Sequence, residues 1–326
     1  MRSRIIAAAV VVLAATAGGC SQGTPATTTI SADVHGKKLA FVPGVSGDSF
    51  YISMQCGIQD AAAKQSMQVN VQAPQQFDPS LQTPVVNGVV AQKPDAMLIA
   101  PTDDSAMFPP LLQASQAGIP IGLVDTTLKN RSIVQTAVST DNRAAGAAAA
   151  DTLADLVGGK GKVLVIAFKA GATTSDARQQ GFEAQIKNHP GVEYLGAQIN
   201  DNDPAKAASI VSATLATHPD LTGIFATNQF AAEGAATGLR NAGRTGDVKI
   251  VGFDAGPVQV QQLQQGVVQA LIAQKPYEIG TAAVDQITAA MTGKPVRAEV
   301  PSGTVAVTKD NLAEPSIQQA LYRTGC

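Results

Sequence analysis

The sequence predicts an α/β protein of two similar lobes, each a parallel sheet flanked by helices, and three observations lead there. The chain has 326 residues, more than one hydrophobic core usually spans. Short runs rich in Val, Ile and Leu alternate along it with longer stretches rich in Ala and Gln, and continuous apolar strands joined by helices form parallel sheets covered on both faces. Acidic and amide residues recur where those runs stop, which is where such sheets bind ligands. Composition agrees with a folded chain. Apolar residues are 45% and charged residues 15%, against about 25% charged in an average globular protein.

Taken in order, residues 1–20 form a processing signal: Arg2 and Arg4, an apolar run from Ile5 to Ala17, then Gly18-Gly19-Cys20. The run is shorter than the roughly 20 residues of a membrane span and suits a secretory h-region. Ala17-Gly18-Gly19-Cys20 resembles a bacterial lipobox, with Ala17 where Leu is usual, and predicts a lipid on Cys20. Residues 21–37 are small and polar and are expected to form a flexible tether. From Lys38 onward the strand candidates are Leu39–Val42, Val69–Gln72, Ala96–Ala100, Ile119–Val124, Val134–Val138, Val163–Ala167, Tyr194–Ala197, Gly223–Ala226, Lys249–Phe253 and Ala270–Ala273. Between most of them lie stretches with helical spacing, such as Asp141–Val157 and Ala205–Ala216. Two His-Pro turns, at His189 and His218, suggest similar units, although no fixed-period repeat is present.

The strand ends carry the chemistry. The first run leads into Asp48-Ser49-Phe50-Tyr51, the fourth ends in Asp125, the eighth runs into Asn228, and the last two end in Asp254 and Gln274. Each alone is an ordinary helix N-cap. Together with an arginine fork, these carboxylates and amides supply the acceptors and donors that vicinal hydroxyls need. Phe50 and Tyr51 offer an apolar face for a sugar ring, although Phe50 also lies in helical phase with Met54, Ile58 and Ala61 and fits a core position.

Other chemistries lack their residues. With 23 Lys plus Arg against 25 Asp plus Glu and a net charge of −2, and no basic run, nucleic acid is excluded as a partner. Cys56 and Cys326 belong to no Cys/His cluster, so neither a metal nor a cofactor is predicted; outside the membrane they have the option of a disulfide pinning the C-terminal tail to the first lobe. His35, His189 and His218 lie in the tether or beside proline and read as solvated turn residues.

At these positions the chain resembles the ribose- and galactose-binding group of bacterial type I periplasmic solute-binding proteins, which feed sugar ABC transporters. The marks are Asp48-Ser49-Phe50-Tyr51, Pro101-Thr102-Asp103, Ile119-Pro120-Ile121 leading to Asp125, Ser139-Thr140-Asp141-Asn142, Arg178-Gln179-Gln180-Gly181-Phe182, Phe225-Ala226-Thr227-Asn228, Val251-Gly252-Phe253-Asp254 and Ile272-Ala273-Gln274-Lys275-Pro276. Their order and spacing cover residues 38–308. The resemblance implies that Asp48, Phe50 and Tyr51 provide the first polar contact and an aromatic sandwich, and that Asp125, Arg178, Asn228, Asp254 and Gln274 bind hydroxyls from both lobes. Two departures argue against assuming ribose. Thr126 stands where ribose-type binders carry Arg, and Asn202 where some carry an aromatic; by that correspondence both are still expected at the ligand.

The resemblance further implies three chain crossings, near Ser139, Gln274 and Gly303. They divide the chain into an N-terminal lobe of residues 38–139 plus 275–302 and a C-terminal lobe of 140–274 plus 303–326. The implied function is capture of a monosaccharide or polyol by a lipid-anchored monomer on the outer face of the cytoplasmic membrane, for an ABC transporter permease. Three alternatives compete. A glycosidase would use Asp125 and Asp254 as its carboxylate pair. A sugar-responsive repressor would need an N-terminal DNA-binding segment in place of the signal. A sensor subunit would hand the same ligand-bound form to a membrane receptor.

Overall fold

A computed structural model describes residues 33–326. The expected signal segment with Cys20, and the tether up to residue 32, lie outside the described residues. The end of the expected tether is already part of the fold: Gly36 N donates to Ser66 O at 2.8 Å, and Lys37 pairs with Asp95 at 2.8 Å.

Two six-stranded sheets with the same strand sequence make the two lobes. The first runs in the order β2 (Gln68–Val71), β1 (Lys38–Val42), β3 (Ala96–Ile99), β4 (Ile121–Val124), β5 (Val134–Thr140), β11 (Glu299–Ser302). The second runs β7 (Val192–Ile199), β6 (Gly161–Ala167), β8 (Leu221–Ala226), β9 (Lys249–Phe253), β10 (Ala270–Ala273), β12 (Val305–Thr308). All neighbours are parallel except β10 with β12. The architecture predicted from the apolar runs is therefore present, and the two lobes repeat each other in strand order, differing in the direction of the last strand. Two short strands were not foreseen, β11 and β12. The fourth strand begins at Ile121 rather than Ile119, because Pro120 N cannot donate to a ladder; its carbonyl instead accepts from Met97 N.

The chain passes between the sheets three times. After β5 it enters α4 (Asn142–Leu156), which packs on α5 (Thr173–Gln185) and β9. After β10 it returns through α9 (Pro276–Met291), which packs on α1 (Ser49–Lys64) and β5. The last passage lies between β11 and β12.

Glycines let the covering helices approach to backbone distance. A Cβ on Gly57 of α1 would lie 2.2 Å from Tyr277 O of α9, and one on Gly280 of α9 would lie 2.3 Å from Met54 O. The other lobe repeats the device: a Cβ on Gly146 of α4 would meet Arg178 O at 2.1 Å, and one on Gly181 of α5 would meet Arg143 O at 2.1 Å. Each helix pair is thus locked from both sides, and nothing larger fits at the crossings. Around them the strands are buried on both faces, as β3 and β4 show by having every residue buried. His189 is not a free turn residue, since Nε2 lies 2.7 Å from Asp151 Oδ1.

Candidate functional site

The loops at the carboxyl ends of the two sheets face each other around a narrow cavity of about 30 Å3, room for a water or two and well below the about 300–1,000 Å3 of ligand pockets. The first lobe lines it with Asp48, Phe50, Tyr51, Phe77 and Asp125, and the second with Phe168, Thr174, Arg178, Asn202, Asn228, Asp254 and Gln274. Every residue singled out at the strand ends reaches this cavity, and so do Arg178 and Asn202. Thr126 does not. Although buried, it sends its hydroxyl to Pro101 O at 2.7 Å, because the residue after Asp125 points away from the cleft. Phe77, Phe168 and Thr174 were not foreseen.

Asp48 and Asn228 satisfy both readings of a strand-end residue. Asp48 caps α1 by accepting from Phe50 N at 2.8 Å, and Asn228 caps α7 (Gln229–Asn241) by accepting from Ala231 N at 2.9 Å. Neither Asp125 nor Asp254 is the N-cap of a helix that follows it, although Asp254 accepts from Gln229 N, the first amide of α7. They hold equivalent places after β4 and β9 and share a left-handed backbone, φ +61° and +79°, a conformation that costs a non-glycine residue on the order of 1–3 kcal/mol. Their amides are tied to the neighbouring strand, Asp125 N to Val138 O at 3.0 Å and Asp254 N to Ile272 O at 2.9 Å, so the turn aims both carboxylates into the cavity.

Each aspartate keeps one oxygen free of protein hydrogen bonds or only partly used. Asp48 commits Oδ1 to its cap. Asp125 Oδ2 accepts from the Tyr51 hydroxyl at 2.7 Å. Asp254 Oδ1 takes two donors, Gln274 Nε2 at 2.7 Å and the Tyr322 hydroxyl at 3.0 Å, while Oδ2 takes only Gln229 N at 3.0 Å. Opposite them stands Arg178, 2% exposed. Its Nε donates to Asn142 Oδ1 at 2.7 Å and Nη1 to Thr227 O at 2.8 Å. The guanidinium stacks on Phe253, 3.7 Å from the ring centroid. Three of its five N–H groups are left over. Asn202 accepts from Asn228 Nδ2 at 2.6 Å and keeps its own amide N–H groups.

Burial raises the cost of so much negative charge. It pushes the Asp48 carboxyl up to about 7, helped by the nearby charge of Asp254. Burial also lifts Asp125, to about 6, against the opposing pull of Arg178 and the Tyr51 hydroxyl. Rings close the remaining walls: Phe50 and Tyr51 meet edge to face at 5.1 Å, and Phe77 of one lobe meets Phe168 of the other in the same way at 5.7 Å. The lobes also touch through Ser49 Oγ, which donates to Gln229 Oε1 at 2.7 Å. Acceptors on both sides, a single guanidinium and aromatic walls suit a small neutral molecule bearing several hydroxyls.

Residues 39–295 match the periplasmic binding protein domain family. The chain belongs to that family. Among periplasmic binding proteins, the ribose import binding protein RbsB of Escherichia coli (strain K12) is 30% identical over 274 residues, 84% of this chain and 91% of that one. The D-allose-binding periplasmic protein of the same organism is 28% identical and covers 74% of this chain and 81% of its own. A solved ABC transporter solute-binding protein from Agrobacterium vitis, bound with alpha-D-tagatopyranose, superposes with a TM-score of 0.86 at 38% identity, over 88% of this chain and 99% of that one. A second from the same organism, with bound D-fucose, gives 0.83 at 29% identity, over 87% and 100%. This is a family of transport binding proteins, not of enzymes, so the paired aspartates are read as ligand acceptors rather than as a glycosidase pair.

Proposed function

We propose that this periplasmic binding protein captures a neutral monosaccharide or sugar alcohol between its lobes and delivers it to an ABC transporter permease. It would work as a monomer held at the outer face of the cytoplasmic membrane by a lipid on Cys20. The observation that carries the reading is the distribution of acceptors: Asp48, Asp125 and Asp254 each turn an oxygen toward one cavity that also holds Arg178. Three carboxylates against one guanidinium repel a phosphate or an acid and attract hydroxyl donors.

The two sheets are read as the cores of lobes 38–139 plus 275–302 and 140–274 plus 303–326. Acceptors from both sides are satisfied together only when the lobes meet, so a sugar favours the joined arrangement by its differential affinity. Similarity to ribose, allose and tagatopyranose binders supports a pentose or hexose. Ribose itself is disfavoured by Thr126, which brings no second guanidinium to the cavity.

The test is a thermal-shift and calorimetric screen of residues 21–326 against D-tagatose, D-allose, D-ribose, D-fucose, D-arabinose, polyols and ribose 5-phosphate. A sugar present at a thousand times its Kd adds about 4 kcal/mol. We expect a selective shift with one or a few neutral sugars and none with the phosphate. A folded protein that responds to the phosphate, or to no neutral polyol, overturns the reading.

A further inference from the structure

The C-terminal tail reaches the binding cavity from behind. Beyond the short helix α10 (Pro315–Gln318), the chain runs back across both lobes. Tyr322 is buried, donates its N–H to Ala255 O at 3.1 Å, and lays its ring 5.8 Å from that of Phe50. Its hydroxyl accepts from Gln274 N at 3.1 Å and donates to Asp254 Oδ1 at 3.0 Å. Arg323 then donates N–H to Ser53 Oγ of α1 at 2.7 Å, with its guanidinium 4.7 Å from the Tyr277 ring centroid. Three residues later Cys326 is joined to Cys56 of α1 by a disulfide bond spanning 270 residues of sequence.

We propose that Tyr322 is a positioning residue for sugar recognition, holding Asp254 and Gln274 in register, and that the Cys56–Cys326 bond keeps it docked. The proposal rests on the sugar-binding reading above and adds to it a part of the site that no lining residue reveals. Directionality carries the argument. Gln274 N–H fixes the acceptor side of the Tyr322 oxygen, which leaves the phenolic hydrogen one destination, Asp254 Oδ1. With the Gln274 side chain donating to the same oxygen, that side of the carboxylate is filled. Oδ2, with its one donor from Gln229, is then the oxygen turned to the sugar. Thr140 Oγ1, donating to Gln274 Oε1 at 2.6 Å, extends the chain of bonds to the end of β5 in the first sheet. Burial and the Asp254 charge hold the Tyr322 hydroxyl well above its ordinary pKa, so it remains a donor at any working pH.

A tail without helix or strand at a chain end ordinarily frays. Here it carries a buried hydrogen-bonding group, and the disulfide anchors it four residues further on. The anchor is on α1 of one lobe and the hydroxyl serves Asp254 of the other, so the strap crosses at the hinge side, next to Gln274, where the chain itself passes between sheets.

Calorimetry with D-tagatose, D-allose and D-ribose tests this on residues 21–326, comparing wild type with Tyr322→Phe, each oxidised and after reduction with dithiothreitol. Tyr322→Phe keeps the ring and removes only the hydroxyl. We expect a Kd about ten- to a hundredfold weaker, as for loss of a hydrogen bond to a charged group. Reduction should weaken wild type in the same direction, recover on reoxidation, and leave Tyr322→Phe nearly unaffected. That non-additivity separates positioning from general support, because a purely structural clamp would shift both proteins equally. A Kd within twofold of wild type in Tyr322→Phe overturns the proposal, as does an equal effect of reduction in both backgrounds. If wild type binds none of these three, the comparison is made with whichever sugar or polyol of the screen above it does bind; binding of none of them fails the sugar reading and takes this proposal with it.

Discussion

Replacing Asp48 by Asn should make the ligand-free protein more stable at alkaline pH and a weaker binder. Burial, with the charges of Asp254, Asp125 and Glu233, lifts this carboxyl from 3.8 to about 7 in the fold. A group whose folded pKa lies above its unfolded one takes up protons on folding, so its ionised form opposes folding, and stability falls as pH rises between the two values. At about 1.4 kcal/mol per pH unit, the interval from 3.8 to about 7 amounts to about 4 kcal/mol, absent below pH 4 and fully developed above pH 7. Asparagine caps a helix as well as aspartate does, so the bond from Phe50 N survives the exchange. Urea unfolding of both proteins at pH 4.5, 6 and 8 would show the variant's advantage growing with pH, while its sugar affinity drops about ten- to a hundredfold through loss of a charged acceptor. An advantage independent of pH, or a variant less stable at pH 8, would refute the electrostatic account of this site.

Sugar affinity itself should be full above about pH 8 and weaken as pH falls, first through about 7 and further through about 6, because protonation of Asp48 and then Asp125 removes acceptors; calorimetry across pH 5–9 measures it. Arg178→Lys gives up the paired bonds to Asn142 and Thr227 and the stacking on Phe253, and should cost at least about a hundredfold in affinity with the fold retained by circular dichroism. Thr126→Val should leave affinity unchanged while lowering stability by about 1–3 kcal/mol, since it strips the buried Pro101 carbonyl of its donor; a large affinity loss would return Thr126 to the site. Gly146→Ala, outside the cavity, should weaken sugar binding because its Cβ would push on the backbone of Arg178, again read by calorimetry.

Most of the fold was legible because each buried strand is a compact apolar run closed by Gly, Pro or a polar cap. The edges were not. β11 carries Pro301, which argues against a strand in sequence and is tolerated here only because β11 lies at the sheet's edge. The polar site residues could be read because strand ends point them out. Phe168 was hidden by adjacency, since it prolongs the apolar run of β6 and looks like more core. Phe77 offered a faint signal, an aromatic alone in a polar loop ahead of the Asp78-Pro79 helix start. Thr126 misled for a different reason: it stands where ribose-type binders carry Arg, which suggested a place at the ligand, and backbone geometry at φ +61° for Asp125 sends the two side chains to different places. Tyr322 had no sequence signal at all, because only the returning path of the tail brings it to Asp254.

The interlocked glycines at the two helix crossings limit what kind of message this protein can send. Helices seated backbone against backbone cannot slide or rotate without collision, so each lobe behaves as one solid piece and has little internal give to absorb the arrival of a sugar. On the proposed function, occupancy would then appear at the exterior as a change in the spacing of surfaces that are themselves unaltered. A membrane partner reading such a protein would measure distance rather than shape, through contacts placed on both lobes at once.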